Sequence, residues 1–492
     1  MILDKLLKNV DIVEAKADMS INISGICYDS REMRDGELFV AIRGYETDGH
    51  RFIEDAAKKG AVCVICEEAP EIPVPYIKVK DSRKALATAS AVWFGHPAEK
   101  LKIIGVTGTN GKTSVTNLIK HIIEKCSSEK VGLIGTNGNF IGDRELSAVH
   151  TTPESYELHK LLDKMILEDC TYVVMEVSSH ALYLSRVYGI IFDVGVFTNL
   201  TPEHLDFHGT MEEYARAKSL LFPCCKKSVV NIDDGYAPLM IENSAGPVLS
   251  YAIENSAADL VGKDIKLQAD KVDFCVVALG SINRTLLRIP GLFSVYNALA
   301  SIAAAILSGF DISEITPALQ SYEGVRGRAE VIPTGHDFTV LIDYAHTPDA
   351  LENIITAVQG FAKGKVITVF GCGGDRDKTK RPLMGQIASK LSDFTIVTSD
   401  NPRTEDPQEI INDITAGIEG TNAAYKVIVS RNEAICCAID SLSNDDVLII
   451  AGKGHETYQI LGKEKIHFDD REAVAQHLRQ IRANSRRQVT GE

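Results

Sequence analysis

No apolar run in this sequence approaches the roughly 18 residues that a bilayer-spanning helix needs, so membrane insertion is not expected. A basic excess is missing too. Lysines and arginines number 52 against 67 acids, for a formal net charge of −15. That balance argues against a nucleic-acid-binding face, which needs a basic surface. It leaves room for small anions, because a few local cations and backbone N–H groups hold a phosphate. The opening MILDKLLKNVDIVEAK carries charges through its first turns, unlike a secretory signal. The expectation is a cytoplasmic chain whose 11 cysteines stay reduced. Cys63-Val-Ile-Cys66 is formally a C-x-x-C, but no second pair stands at zinc-finger spacing. The stretch around it, GAVCVICEE, reads as a buried strand, where positions three apart face opposite ways. Cys224-Cys225 and Cys436-Cys437 read as packing residues. Internal repeats, low-complexity runs and long linkers are absent as well.

What is present is an ordinary globular composition, 45% hydrophobic and 24% charged, in 492 residues, too many for one core. Three zones emerge. Residues 1–99 mix short strands (ELFVAI, AVCVI, PYIKV) with helical stretches such as HRFIEDAAKKG, and a Gly-His-Pro turn at 95–97 marks their end. Residues 100–330 open with LKIIGV and continue with the buried strands TYVVMEV, IFDVGVF and KSVVNI. Near their end SVYNALASIAAAIL has helical spacing. Residues 331–492 alternate apolar strands with amphipathic helices, which implies βαβ units and a mostly parallel, Rossmann-like sheet. The fold class expected is α/β in three domains, the central one with a mostly parallel sheet. Ligands on such sheets bind at the carboxyl ends of the strands.

The strongest local signal is GVTGTNGKTS, residues 105–114. A buried strand runs into a glycine loop, then into a helix whose Val115, Leu118, Ile119, Ile122 and Ile123 share one face. Glycines let backbone N–H groups curl around a phosphate, and the helix start adds positive potential. Lys112 supplies a mobile charge, and the Thr113 hydroxyl is placed to hold Mg²⁺. The pattern departs from G-x-x-x-x-G-K-S/T, since Val106 stands where the first glycine belongs. Nucleotide binding is expected, with the fate of the phosphoryl group left open. GCGGD at 371–375 also follows a strand, but Arg376 replaces the third glycine of a dinucleotide fingerprint. The loop is then either a tight turn or a backbone cradle with Arg376 aimed at an anion.

Further candidates stand at other strand ends. Glu176 closes TYVVMEV and suits either Mg²⁺ or a helix cap. NLTPEHLDFHG places His204, Asp206 and His208 in a polar loop, as metal ligands, bases or plain loop residues. TSDNPRTEDP, residues 398–407, is a turn by its Asn401-Pro402, with Arg403 in it. Lys218, in EEYARAKSLLF, reads locally as an ordinary helix-surface lysine.

Taken in order, TGTNGKTS, MEVSSHAL, NLTPEHLDFHG, YNALAS, GVRGRAE, DYAHTPDAL, GCGGDRDKTKRP, DNPR and AGKGHE resemble the Mur ligases, across nearly the whole chain. The glycine loop is shared with folylpolyglutamate synthetases. DNPR with GKGHE, together with the amino-terminal DSREMRDGELFVAIRG, is far more specific. These narrow the resemblance to the branch that adds meso-diaminopimelate to UDP-N-acetylmuramoyl-L-alanyl-D-glutamate, with ATP and Mg²⁺, in peptidoglycan synthesis.

The resemblance implies that residues 1–99 bind the UDP-muramoyl substrate, 100–330 ATP and 331–492 the amino acid. It implies ATP contacts at Gly108, Thr109, Asn110, Gly111, Lys112, Thr113 and Ser114, and at Asn297, Arg328 and Asp343. It places Ser30, Thr151, Thr152, Ser178 and Arg186 on the UDP-muramoyl-dipeptide, with Leu184 where some members have glutamine. It assigns Thr113, Glu176, His204 and a carbamylated Lys218 to metal, and Lys112, Glu176, His204 and Lys218 to catalysis. Arg376, Asp400, Asn401, Pro402, Arg403, Gly452 and Glu456 would take diaminopimelate, with Arg403 on the distal carboxylate and Glu456 on the distal ammonium. A monomer without a nucleic-acid partner is expected. Two rivals remain open at this stage: the same reaction with L-lysine, and an ATP-gated binding protein without transfer.

Overall fold

Strands whose residues are apolar on both faces, rather than on alternate ones, set the architecture. Val366–Phe370 and Val447–Ala451 are buried at every position, and Lys102–Thr107 at all but its first. Such strands belong to parallel sheets covered by helices on both sides. The computed structural model describes residues 1–492 apart from 45, 46, 149, 279, 491 and 492, and only the backbone of 484–490. The chain divides into two compact units: Met1–Tyr251 with Ala303–Phe310, and Ala252–Ile302 with Asp311–Glu492.

The first unit holds two sheets. A five-stranded sheet runs in the order Ile12–Lys16, Tyr76–Val79, Cys63–Cys66, Leu38–Val40, Ile26–Cys27, parallel except at the first pair. Cys63 packs in the core on one face of it and Cys66 in the core on the other, as the pleat demands. Cys225 is likewise core, with Cys224 packed against the same cluster. The second sheet runs Val248–Ala252, Ser228–Asn231, Val194–Phe197, Lys102–Thr107, Cys170–Glu176, Lys130–Gly135, and ends in the antiparallel strands Gly138–Ile141 and Arg144–Leu146. Thr107, Gly135, Glu176 and Phe197 therefore end four neighbouring parallel strands at one edge.

The second unit contains a six-stranded sheet in the order Glu330–Ile332, Thr339–Asp343, Val447–Ala451, Val366–Phe370, Phe394–Val397, Tyr425–Val427, parallel except at the first pair. The last of the chain's long parallel strands, Val447–Ala451, inserts between two earlier ones, which makes a switch in winding direction, the place where sheets of this kind bind ligands. The loops carrying Arg376, Arg403 and Glu456 leave three consecutive strands at that switch. Leu260–Leu267, Val272–Ala278 and Ser281–Leu287 form an antiparallel ribbon that the buried-strand pattern did not announce. Its alternation, buried at every second residue of Val272–Ala278, is the period-two signal. Among the described residues no helix is long and apolar enough to cross a membrane.

Candidate functional site

In the first unit the glycine loop lies between Lys102–Thr107 and the helix Lys112–Ser127. Gly111 caps the helix at φ 86°, a left-handed conformation that glycine adopts freely. At Gly108 (φ 151°) a Cβ would overlap the Thr198 hydroxyl, so only glycine fits. The loop is pinned by its neighbouring strand end. Thr109 N donates to Asn199 O and Asn110 N to Asn199 Oδ1, both at 2.9 Å, and Thr198 Oγ1 donates to Asn110 O at 2.6 Å. Lys112 Nζ folds back onto Gly108 O (2.9 Å) and Thr109 O (2.8 Å). Thr113 and Ser114 follow in the first helical turn, with Thr113 buried.

Glu176 ends its strand with 1% exposure. Its Oε1 accepts from Thr113 Oγ1 and Thr136 N, both at 2.9 Å, and its Oε2 from Thr136 Oγ1 at 3.1 Å. Gly135 makes room for it, since a Cβ there would overlap Oε1. Thr136 escaped the sequence reading; the glycine closing the apolar run VGLIG was its only signal. Thr151 Oγ1 meets Thr136 Oγ1 at 3.0 Å. Thr152 Oγ1 donates to Glu176 O at 2.8 Å and accepts from Ser178 N at 3.1 Å. Arg186 donates to Thr152 O at 3.0 Å and pairs with Glu154. Four of the five residues expected on the muramoyl substrate thus meet. Ser30 does not bond with them. Its carbonyl accepts from Lys59, and nearby Tyr28 donates to Glu157. Leu184 is half-buried at the end of the short helix Ser179–Tyr183.

Lys218 is not a surface lysine. It is 1% exposed, on the inner face of the helix Met211–Ser219. Helical periodicity alone could not reveal this, because the loop that buries the lysine comes from 110 positions away in the chain. Its Nζ donates to Gly108 O at 2.8 Å and stands 4.5 Å from the centre of the Tyr214 ring. Burial first, and Lys112 second, push its ammonium well below the ordinary lysine range. His204 adopts φ 56° in the same neighbourhood. Its ring is edge-on to His180 at 4.7 Å, and burial holds its imidazole below the usual range. His208 is buried, bonded to Ser179 Oγ at 2.9 Å and stacked on Tyr214, so it is not a loop ornament. Neither His204 nor Lys218 hydrogen-bonds to Glu176 among the described residues.

The remaining candidates lie in the second unit. Asp343 ends its strand and accepts from Ala329 N (2.7 Å) and Ala345 N (2.8 Å), while burial raises its carboxyl pKa against the pull of Arg328. The Arg328 guanidinium lies over Tyr344, 4.7 Å from the ring centre. Asn297 is 9% exposed on the helix Leu292–Leu307.

At the three consecutive strand ends the charges are sorted. Arg403 adopts φ 52°, which is strained for a side chain of its size. It is held there by backbone bonds to the hairpin Tyr458–Leu461/Glu464–His467: Arg403 N to Ile460 O at 3.1 Å and Gly462 N to Arg403 O at 2.7 Å. Its Nη1 donates to Gly374 O at 2.7 Å, and no carboxylate pairs with it among the described residues. Arg376 is exposed and, among the described residues, bonds only to its neighbour's carbonyl, Asp375 O. A Cβ on Gly373 would lie within 4 Å of both arginines, so this bare glycine sits between them. Pro402 packs its carbonyl so closely on Gly374 that no side chain fits there.

Other cations here are already matched. Arg381, buried, forks onto Glu405 and Asp413, and pulls the Glu405 carboxyl down to about 2. Glu456 Oε2 accepts from Asn401 Nδ2 (2.8 Å) and from the buried ammonium of Lys453 (3.1 Å). The Tyr458 hydroxyl pKa is raised by burial and then by Glu456, with Arg403 opposing, and its ring lies under the Lys453 ammonium at 5.5 Å. Asp400 is 7% exposed and Gly452 (φ 111°) abuts it. Lys453, Arg381 and Tyr458 were not singled out from sequence, because their roles rest on partners that only folding brings to them.

Comparison with known proteins accords with this layout. The model of the Mur ligase middle domain matches residues 106–305, that of the Mur ligase glutamate ligase domain 327–454, and that of the Mur ligase family catalytic domain 22–103. The chain is 51% identical over 476 residues to the UDP-N-acetylmuramoyl-L-alanyl-D-glutamate–2,6-diaminopimelate ligase of Caldanaerobacter subterraneus subsp. tengcongensis, covering 96% of this chain and 98% of that one. It is 46% identical to ligase 1 of the same name from Clostridium acetobutylicum, covering 98% and 100%. A solved structure of a ligase of that name superposes with a TM-score of 0.73 at 32% identity, covering 98% and 99%. With a glycine loop braced by the next strand, a carboxylate on its threonine and charged loops on three adjacent strand ends, and with family models spanning most of its length, this chain belongs to the Mur ligase family.

Proposed function

We propose that the chain is an ATP-dependent ligase that joins meso-diaminopimelate to the D-glutamate carboxylate of UDP-N-acetylmuramoyl-L-alanyl-D-glutamate. The observation that carries the choice of amino acid is the charge placement in the second unit. Arg403 has no acidic partner among the described residues, and Glu456 stands on the loop that bonds to its own through Asn401, at 2.8 Å. A distal carboxylate on the ligand would pair with Arg403, and its distal ammonium would share Glu456 with Lys453. L-lysine lacks the carboxylate and would leave a guanidinium unpaired, a loss of up to several kcal/mol.

In the reaction, the substrate carboxylate attacks the terminal phosphorus of ATP and ADP leaves, giving an acyl phosphate. The free amine of diaminopimelate then adds to the acyl carbon, and phosphate departs from the tetrahedral intermediate as the amine loses its proton. The obstacle is the approach of two anions, so positioning and charge neutralisation dominate. Lys112, moving off Gly108 O, meets the outer phosphates. The loop N–H groups and the helix start cradle them. Thr113 Oγ1 and Glu176 Oε1, 2.9 Å apart, offer the oxygen donors that suit Mg²⁺. Two protein oxygens leave most of an octahedral shell open, which phosphate, water and, once carbamylated, Lys218 would fill. Bound there, the ion would neutralise phosphate charge. Thr151, Thr152, Ser178 and Arg186 would orient the muramoyl-dipeptide.

The test is phosphate release by purified chain with ATP, Mg²⁺ and UDP-N-acetylmuramoyl-L-alanyl-D-glutamate, given either meso-diaminopimelate or L-lysine. Release that depends on diaminopimelate is expected. Equal rates with lysine would sink the specificity, and no amino-acid-dependent release would sink the ligase.

A further inference from the structure

Behind the loops that bear Asn401, Arg403 and Glu456 lies a cation that points at no solvent. Arg431 opens the helix Arg431–Asp440 and its side chain is completely buried. Its Nε and Nη2 donate to the two carboxylate oxygens of Asp470 at 2.7 and 2.8 Å. Nη2 also donates to Ala451 O, at 3.0 Å, the last residue before the loop of Gly452 and Glu456. Nη1 has no hydrogen bond and stands 3.8 Å from Asp400 Oδ2, itself buried without one. The other oxygen of Asp400 accepts from Asn401 N at 2.7 Å. Gly452 leaves the space, since a Cβ there would come within 2.8 Å of Asp400 Oδ2.

One guanidinium thus touches the end of one strand and faces the start of the loop on another. Resting on the ligase reading above, we propose that Arg431, anchored by Asp470, is a positioning residue of the amino-acid site, and that Asp400 acts through it rather than on the ligand. Asp400 is closed off on both sides, by its own loop's N–H and by Arg431. A buried carboxylate needs such compensation, and losing one partner of a buried pair is far costlier than losing a surface pair. A planar fork with donors in fixed directions can hold both oxygens of a carboxylate and reach a carbonyl at once, a geometry that a point-like ammonium does not reproduce. The spacing between Asn401 and Glu456, bonded across the two loops at 2.8 Å, then depends on Arg431.

The experiment measures initial rates of the full chain with varied meso-diaminopimelate and, separately, varied ATP, for Asp470→Asn, Asp400→Asn, Arg431→Lys and the double variant Asp400→Asn/Arg431→Lys, with circular dichroism melting to verify folding. Each single variant is expected to raise KM for diaminopimelate roughly tenfold while KM for ATP stays within about twofold. The double variant is expected to be no worse than the worse single within about twofold, because both changes cut one link. A folded single variant with unchanged KM for diaminopimelate overturns the proposal. So does an equal rise in KM for ATP, or losses that multiply in the double variant. If Arg431→Lys fails to fold, Asp470→Asn and Asp470→Asn/Asp400→Asn carry the same comparison. A wild-type chain without diaminopimelate-dependent phosphate release would remove the ligase reading, visible before any variant is compared, and the proposal would fall with it.

Discussion

Lys112 and Lys218 both donate to one carbonyl oxygen, Gly108 O, at 2.9 and 2.8 Å. Burial first, and the nearby Lys112 second, lower the Lys218 pKa well below the ordinary lysine range, toward the neutral amine that would add CO₂ to become a carbamate anion. That conversion would turn a cation beside the phosphate loop into an oxygen ligand for Mg²⁺. Lys218→Ala is therefore expected to lower phosphate release about a hundredfold or more. An added short carboxylic acid is expected to restore part of it by occupying the vacated space. A variant with wild-type activity would reject the carbamate.

Gly108→Ala tests the loop itself. The new methyl would overlap the Thr198 hydroxyl that braces Asn110. The loop must then shift away from the strand end that shapes it. At least tenfold weaker binding of ATP is expected in calorimetry, with the melting profile retained. Thr198→Ala in the same chain is expected to recover part of the loss. If the single variant binds ATP normally, the tight approach is not what shapes the loop.

How far the sequence reached is visible in these residues. The strand–glycine–helix pattern around Gly108 is local, so loop, helix and buried face were all readable. The parallel sheet of the second unit followed from the alternation of apolar strands and helices. The burial of Lys218 was not readable, because it depends on a loop 110 positions away in the chain. Lys453 and Arg431 escaped for the same reason: a buried cation is defined by partners that folding brings to it. The antiparallel ribbon at 260–287 was missed because its exposed alternate residues dilute the apolar signal. Lys218, His204 and the DNPR loop gained their expected roles only through resemblance, because no local pattern of residue types around them points to one chemistry.

Arg403→Ala is expected to raise KM for diaminopimelate by one to two orders of magnitude, the scale of a lost charge-assisted pair, with KM for ATP unchanged. The preference for diaminopimelate over L-lysine should fall with it, because the variant no longer leaves a guanidinium unpaired when lysine binds. Competition kinetics with the two amino acids measures that ratio. A preserved ratio would reduce Arg403 to a turn residue held by its hairpin.

His159 gives the chain an acid limit. It lies on the helix Ser155–Leu167 with 2% exposure, and neither ring nitrogen has a hydrogen-bond partner among the described residues. Burial pushes its imidazole down to about 4 from an ordinary value of 6.5. The unfolded chain therefore binds a proton between these values that the folded one refuses. The sign follows: stability is full above pH 6.5 and is lost as pH falls toward 4, by roughly 3 kcal/mol for this group. His180, His208 and His455 are pushed to the same range and add to the slope. His159→Leu keeps a similar volume and removes the proton site. Its melting temperature is expected to fall less than the parent's between pH 7 and pH 4.5. An identical fall in both would show that His159 finds a partner or water on protonation, and that the acid limit is set by the other histidines.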